Sequence, residues 1–256
     1  MRLGLGNSLS NQLIFGGGAA PPPTYSPAEL FQSGEAGIWY DYQDFSSMWQ
    51  DSAGTVPAAV NQPVGRVDDK SGNGNHKIQA TAAARPILRD DGTGHYYLEH
   101  DGVDDRMVAP YSGNNVYERV SAIRQITWTL NDQFFSGGSG AGELRQAPST
   151  PSFQIVEVGR GLAPNSDLPI GANGVVTERY TGVDTFLQVN QGTEASVIGG
   201  TASPAPTQLS VGGRSNGTLC ANMRLYGLVQ RAGAMTTQQR SDLQEYLAGI
   251  SGVNFP

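Results

Sequence analysis

The residues best suited to chemistry in this chain lie in the run Tyr96-Tyr97-Leu98-Glu99-His100-Asp101-Gly102-Val103-Asp104-Asp105. Its aromatic-rich first half favours an extended strand, and Asp101-Gly102 stops it. Alternation along a strand puts Glu99 and Asp101 on one face. Two carboxylates flanking a sugar can act as nucleophile and acid/base catalyst, so Glu99 and Asp101 are a candidate glycosidase pair. Asp104 follows Gly102, where the chain leaves the strand face. The competing reading is a turn in which Asp101 accepts backbone N–H bonds from the residues leading to Asp105.

A second group is Asp69-x-Ser71-x-Asn73-Gly74. Oxygen-bearing side chains at alternate positions, followed by glycine, match the start of a calcium loop, with Asp69, Ser71 and Asn73 as ligands. Ala80 stands where a bidentate carboxylate would close such a loop, so Asp104 or Asp105 would have to complete it. The alternative is a turn whose Asn and Ser side chains bond to local backbone. Trp39 and Trp128 fall on strand candidates and suit a core. Trp49, in a polar turn, is the tryptophan best placed to stack on a sugar, with Asn73, Asn75 and His76 as polar companions. No other cofactor is implied.

His76, His95 and His100 lack metal-ligand spacing, the serines lack a nucleophile elbow, and the glycine runs lack the lysine of a phosphate loop. Cys220 is the single cysteine, so the chain forms no intrachain disulfide, and a small buried residue is expected there. A net charge of −7 with scattered Lys and Arg argues against a nucleic-acid binder.

These residues must be positioned by a turn-rich chain. Thirty-four glycines and 15 prolines in 256 residues, with 15% charged residues, suit an all-β domain. Residues 1–25 read as an arm, with Gly16-Gly17-Gly18 and Pro21-Pro22-Pro23 as joint and spacer. Leu3, Leu5, Leu9, Leu13, Ile14 and Phe15 give it an apolar face for assembly with a neighbour. Nothing in it reads as a signal peptide, and no stretch is long enough to cross a membrane. Residues 26–256 read as one domain.

Ser26-Pro27-Ala28-Glu29 opens a helix that Gly34 ends. Strands are expected at Ile38–Tyr42, Tyr96–His100, Thr127–Leu130, Phe153–Val158, Val175–Tyr180, Val183–Val189, Leu209–Val211 and Met223–Val229. Asp44 caps a short helical turn. Thr236 and Gln239 form a capping box before Leu243, Tyr246, Leu247 and Ile250, which share one face of a closing helix.

The order of these motifs resembles the laminin-G-like branch of the concanavalin A-like lectin/glucanase fold, in the version common in tailed-phage virion proteins. Asp69, Ser71, Gly72, Asn73, Gly74, Asn75 and His76 match one family turn. His100 to Asp105 matches another, with His100 in place of the usual Phe. Glycosidases on this fold carry E-x-D-x-x-E, and Asp104 stands at the third acid.

The resemblance implies an all-β, concanavalin A-like jelly-roll sandwich with an extended N-terminal arm and a short C-terminal helix. It further implies a non-enzymatic bacteriophage virion protein on the particle exterior, either tail or fibre appendage or capsid decoration. Such a protein would be made in the host cytoplasm, join other virion proteins through its arm, form a homo-oligomer (a trimer is favoured) and contact host-surface glycans. The alternatives are a glycoside hydrolase or depolymerase using Glu99 and Asp101, and a purely structural shell-stabilising protein.

Overall fold

The computed structural model describes residues 25–138, 140–156, 166–199 and 204–255. Among them two antiparallel sheets, of eight and nine strands, pack face to face, and one helix covers the outside of the first. The jelly-roll-like sandwich expected from the turn pattern is therefore present. The apolar arm, Leu3 to Phe15, lies outside the described residues.

Two long strands form the centre of the eight-stranded sheet, Val116–Gln125 and Asn222–Ala232. They pair from Met223–Gln125 to Ala232–Tyr117, with a register shift near Tyr226. Gly37–Asp41 and Tyr96–Asp101 also pair with the second of them. Asn173–Thr181 and Thr185–Val189 form the expected hairpin on the far side. The nine-stranded sheet includes Met107–Ala109, Gln133–Ser136, Glu143–Gln146, Ser152–Val156 and Leu209–Val211. Strand Tyr96–Asp101 belongs to one sheet and Met107–Ala109 to the other, so the turn between them crosses the end of the sandwich.

Alternation sorts the first sheet's side chains into two cores. Leu98, Ile123, Val176 and Leu225 face the second sheet with Phe134, Leu144 and Phe153. Tyr97, Val120, Val175 and Tyr226 face outward and are covered by Leu243, Leu247 and Ala248 of the helix Thr237–Gly249. Each fully buried large side chain contributes about 1.5–3 kcal/mol. The capping box at Thr236 and Gln239 is formed in both directions.

Several expectations need correction. Thr127–Leu130 is bend and turn, and Trp128 there is half-buried. The Ser26 helix is a single 3-10 stretch, Pro27–Phe31, with Leu30 and Phe31 buried beneath it. Strand Val116–Gln125 shows no polar/apolar alternation in the sequence, because both its faces are covered and Glu118, Arg119, Ser121 and Gln125 are buried polar residues on it. Arg119 and Glu178 sit opposite one another and pair at 2.7 Å through Nε, and Arg119 Nη2 donates to Gly142 O at 2.9 Å. The ion pair lies within the first sheet, and the bond to Gly142, just before strand Glu143–Gln146, ties it to the second. Lys77 is also fully buried, bonded to the Tyr42 hydroxyl, and burial holds its pKa well below the usual lysine range.

Candidate functional site

The turn that crosses the end of the sandwich brings three carboxylates together. Asp101, Asp104 and Asp105 each place an oxygen within 4.8 Å of the others. Gly102 makes the turn possible with φ +77°, and a Cβ there would lie 2.8 Å from Asn222 Cβ. Asp101 is exposed, Asp104 half-buried and Asp105 buried. Asp101 Oδ1 accepts the Val103 amide at 2.8 Å and the Asp104 amide at 3.4 Å. Its Oδ2 has no partner among the described residues. Asp105 Oδ2 accepts the Asp101 amide at 3.1 Å.

The two ends of this group differ electrically. Burial, reinforced by the charge of Asp101, pushes the Asp105 carboxyl up to about 7. One acid therefore holds a proton near neutral pH beside an exposed carboxylate. His100 lies behind the turn, fully buried, with Nδ1 3.1 Å from Asp105 O. Burial and nearby Lys77 lower its pKa to about 3, so it stays neutral and fills the place of the family's Phe. Gly212 admits the ring, since a Cβ there would lie 2.3 Å from His100 Nδ1. Val103, 73% exposed, stands at the tip of the turn as an apolar surface beside the acids.

Glu99 occupies the strand face predicted for it, but both its oxygens are taken. Arg89 Nε meets Oε1 at 3.1 Å and Arg224 Nε meets Oε2 at 3.3 Å. A carboxylate bracketed by two guanidiniums is a poor nucleophile, because attack would surrender both pairs. The pairing of Glu99 with Asp101 as catalysts is corrected on that ground.

The turn Asp69 to His76 docks onto the first strand. Asp69 Oδ1 accepts the Trp39 and Ser71 amides, both at 2.9 Å. Its Oδ2 accepts the Ser71 hydroxyl at 2.9 Å and the Asn75 amide at 3.0 Å. Four donors converge on one carboxylate, an arrangement that suits a turn anchor and leaves no lone pair for calcium. Asn73 Nδ2 donates to Glu35 O and Asn75 Nδ2 to Gly37 O. His76 Nδ1 sits 3.0 Å from Asp68 Oδ1. Trp49 is half-buried and its Nε1 donates to Asp68 Oδ2 at 2.9 Å. Asn73, Asn75, His76 and Trp49 are thus engaged in holding the turn. Cys220 is buried, and burial raises its thiol to about 11.

Sequence reasoning passed over Asp105 as a proton-holding acid. The Asp104-Asp105 doublet after a glycine was the available signal. It also passed over Glu143 and Gln133, paired at 2.8 Å on neighbouring strands, because isolated polar residues in short strands carry no periodic mark.

No family model and no curated protein matches the sequence. The fold has relatives among solved structures. One is a Glu→Gln mutant of a GH54 α-L-arabinofuranosidase soaked with 4-nitrophenyl α-L-arabinofuranoside, with TM-score 0.63, 13% identity, 89% of this chain and 66% of that one. Another is domain 4 of a GH43 extracellular arabinanase from Geobacillus stearothermophilus in complex with arabinotriose, with TM-score 0.54, 12% identity, 82% of this chain and 98% of that one. A third is Trypanosoma rangeli sialidase in complex with sialic acid, with TM-score 0.56, 12% identity, 90% of this chain and 36% of that one. The chain spans just under two thirds of the arabinofuranosidase and about a third of the sialidase.

At these identities the likeness establishes a β-sandwich fold. It overturns the expectation of a non-enzymatic bacteriophage virion protein. The architecture from which that expectation came is matched over most of the chain by carbohydrate-processing enzymes. The glycoside hydrolase alternative fits these neighbours better.

Proposed function

We propose that this chain is a carbohydrate-active domain that cleaves glycosidic bonds at the Asp101–Asp105 turn. The observation that carries the reading is the approach of Asp101 and Asp105 within 4.8 Å, one exposed and one buried. Retaining glycosidases hold their two carboxyls about 5 Å apart, whereas inverting enzymes leave room for a water between them. The fold shared with the arabinofuranosidase and with an arabinotriose-bound domain supports a glycan as the ligand and arabinose-containing polysaccharide as the first substrate class to test.

In this scheme Asp101 Oδ2 attacks the anomeric carbon while protonated Asp105 gives its proton to the departing glycosidic oxygen. A glycosyl ester on Asp101 results, and Asp105 is left ionised. Asp105 then takes a proton from water, whose oxygen attacks the same carbon and releases Asp101. Both carboxyls return to their starting states. Val103 offers the apolar face of the sugar a surface next to the reacting bond.

The test is sugar release from arabinan together with nitrophenol release from 4-nitrophenyl α-L-arabinofuranoside. Asp101→Asn should abolish both. Asp105→Asn should slow the polysaccharide by roughly 10²–10⁴-fold, the usual worth of a general acid. The same change should spare the first-turnover burst of nitrophenol, because that leaving group departs without protonation, and should slow the later turnovers, because Asp105 also activates the water. Wild-type protein that releases no sugar, or Asp101→Asn with full turnover, would overturn the proposal.

A further inference from the structure

A shallow, open cavity of about 410 Å³ lies on the outer face of the first sheet, beside Gly252 and Asn254. Among the described residues its lining includes Arg124, Gly171, Asn173, Asn190, Gly252 and Asn254, and no carboxylate. Arg124 is the charged group in it. The guanidinium makes no hydrogen bond or ion pair among the described residues, and its Nε is buried without a partner. Buried donors are nearly always satisfied, so an orphan of this kind calls for a reason.

Sheet register explains why no acid reaches it. Glu99 lies opposite Arg224, Arg224 opposite Arg124, and Arg124 opposite Asn173, in one row across four strands. Glu99 is shared between Arg224 and Arg89. Two guanidiniums thus share one carboxylate, and Arg124 is left opposite Arg224 across the strand pair. Like charges directly opposite destabilise a sheet. Asp91, which acts on neighbouring Tyr226, is bonded within its own turn to Thr93 and His95.

The remaining polar groups of the cavity are sorted by what they already hold. Asn173 is spent on its surroundings, accepting from Tyr226 Oη at 3.2 Å and donating to Ser251 O at 2.6 Å. Asn190 Oδ1 accepts the Val175 amide at 2.8 Å, which leaves its Nδ2 to donate. A free guanidinium fork and an amide donor match an oxyanion. The cavity falls within the roughly 300–1,000 Å³ range of pockets for organic ligands, larger than an inorganic ion needs. Asp101 lies on the same strand face as Glu99, two residues along and two strands over from Arg124. Strand spacing and rise put the two Cα atoms roughly 12 Å apart, the span of two or three sugar units.

We infer that this cavity binds the carboxylate of an acidic sugar unit, with Arg124 as its counter-ion, in the glycan that reaches the Asp101–Asp105 turn. The placement of the cleaved bond rests on the function proposed above, while the Arg124 cavity stands on its own geometry.

The experiment is calorimetric titration with tetramers of galacturonate, glucuronate and mannuronate, their methyl esters, and sodium sulfate. Wild type should bind at least one acid tetramer at least tenfold tighter than its ester and than sulfate. Arg124→Gln should erase that preference, and Arg124→Lys should recover part of it. Melting temperatures should not fall in either variant, because Arg124 makes no hydrogen bond or ion pair among the described residues. Equal affinity for acid and ester, sulfate binding as tight as any tetramer, no binding to any tetramer, or an unchanged preference in Arg124→Gln would each overturn the inference. Acid preference lost in Arg124→Gln but without turnover of any glycan would sink the cleavage reading and keep the cavity. Arabinan cleavage lost in Asp101→Asn but without acid preference would do the reverse.

Discussion

The backbone amide of Asp101 donates to the carboxylate of Asp105 at 3.1 Å, so the exposed acid of the crossing turn is held in place by the buried one. The bond ties the Asp105 carboxyl to the Asp101 backbone and uses one Asp105 oxygen, leaving the other to carry the proton.

That arrangement makes stability depend on pH in a stated direction. Asp105 has a folded pKa near 7, above the ordinary 3.8 of an unfolded aspartate. Between those values the folded state binds more protons, so its stability falls as pH rises. The contribution is fully present below about pH 4 and is lost as pH passes through about 7. Solvent screening at this partly open site reduces the full linkage value, leaving an effect on the order of 1–2 kcal/mol. Urea midpoints at pH 4.5 and 7.5 should show the loss in wild type and a flatter profile in Asp105→Asn. Equal slopes in the two proteins would refute it.

Glu99 is predicted to be structural. Glu99→Gln should remove the charge shared by Arg89 and Arg224 and lower stability by about 1 kcal/mol, since both pairs are partly exposed. Glycan turnover should persist. Turnover that disappears while the fold remains intact would restore Glu99 as a nucleophile.

Asp69 anchors its turn through four donors. Asp69→Ala should cost about 3 kcal/mol, because the Trp39 amide would be left buried without an acceptor. Addition of a calcium chelator to wild type should leave the melting curve in place. A bound ion would instead add about 2.7 kcal/mol at a hundredfold excess over its dissociation constant, and the chelator would remove it.

Arg119 and Glu178 are 1% and 0% exposed. Glu178→Gln should strand a buried guanidinium and cost about 3–5 kcal/mol. The double replacement Arg119→Met with Glu178→Leu should recover most of that loss. A double mutant as unstable as Glu178→Gln would mean that the pair is valuable for more than mutual neutralisation.

Local chemistry was legible in the sequence. Ser26, Asp44 and Thr236 cap where their side chains predict, and Gly102 ends its strand with the positive φ that glycine permits. Turn formers in Asp69 to Asn75 announced a turn, and Leu209–Val211 and the Thr236 helix appear as read. These features depend on neighbours a few residues away, and short-range sterics and hydrogen bonds decide them.

What the tertiary structure decided is which charges meet. Glu99 and Asp101 share a strand face by alternation. Whether Glu99 is free depended on Arg89 from one neighbouring strand and Arg224 from the other, 125 residues away. The protonated state of Asp105 depended on burial at a crossing between sheets, and the lack of an acid partner for Arg124 among the described residues on a register that gave Glu99 of the same row to Arg224. Periodicity in one strand carries no information about the residues opposite it. Coulomb interactions and desolvation act through space, so the fold as a whole had to place these groups before their chemistry existed.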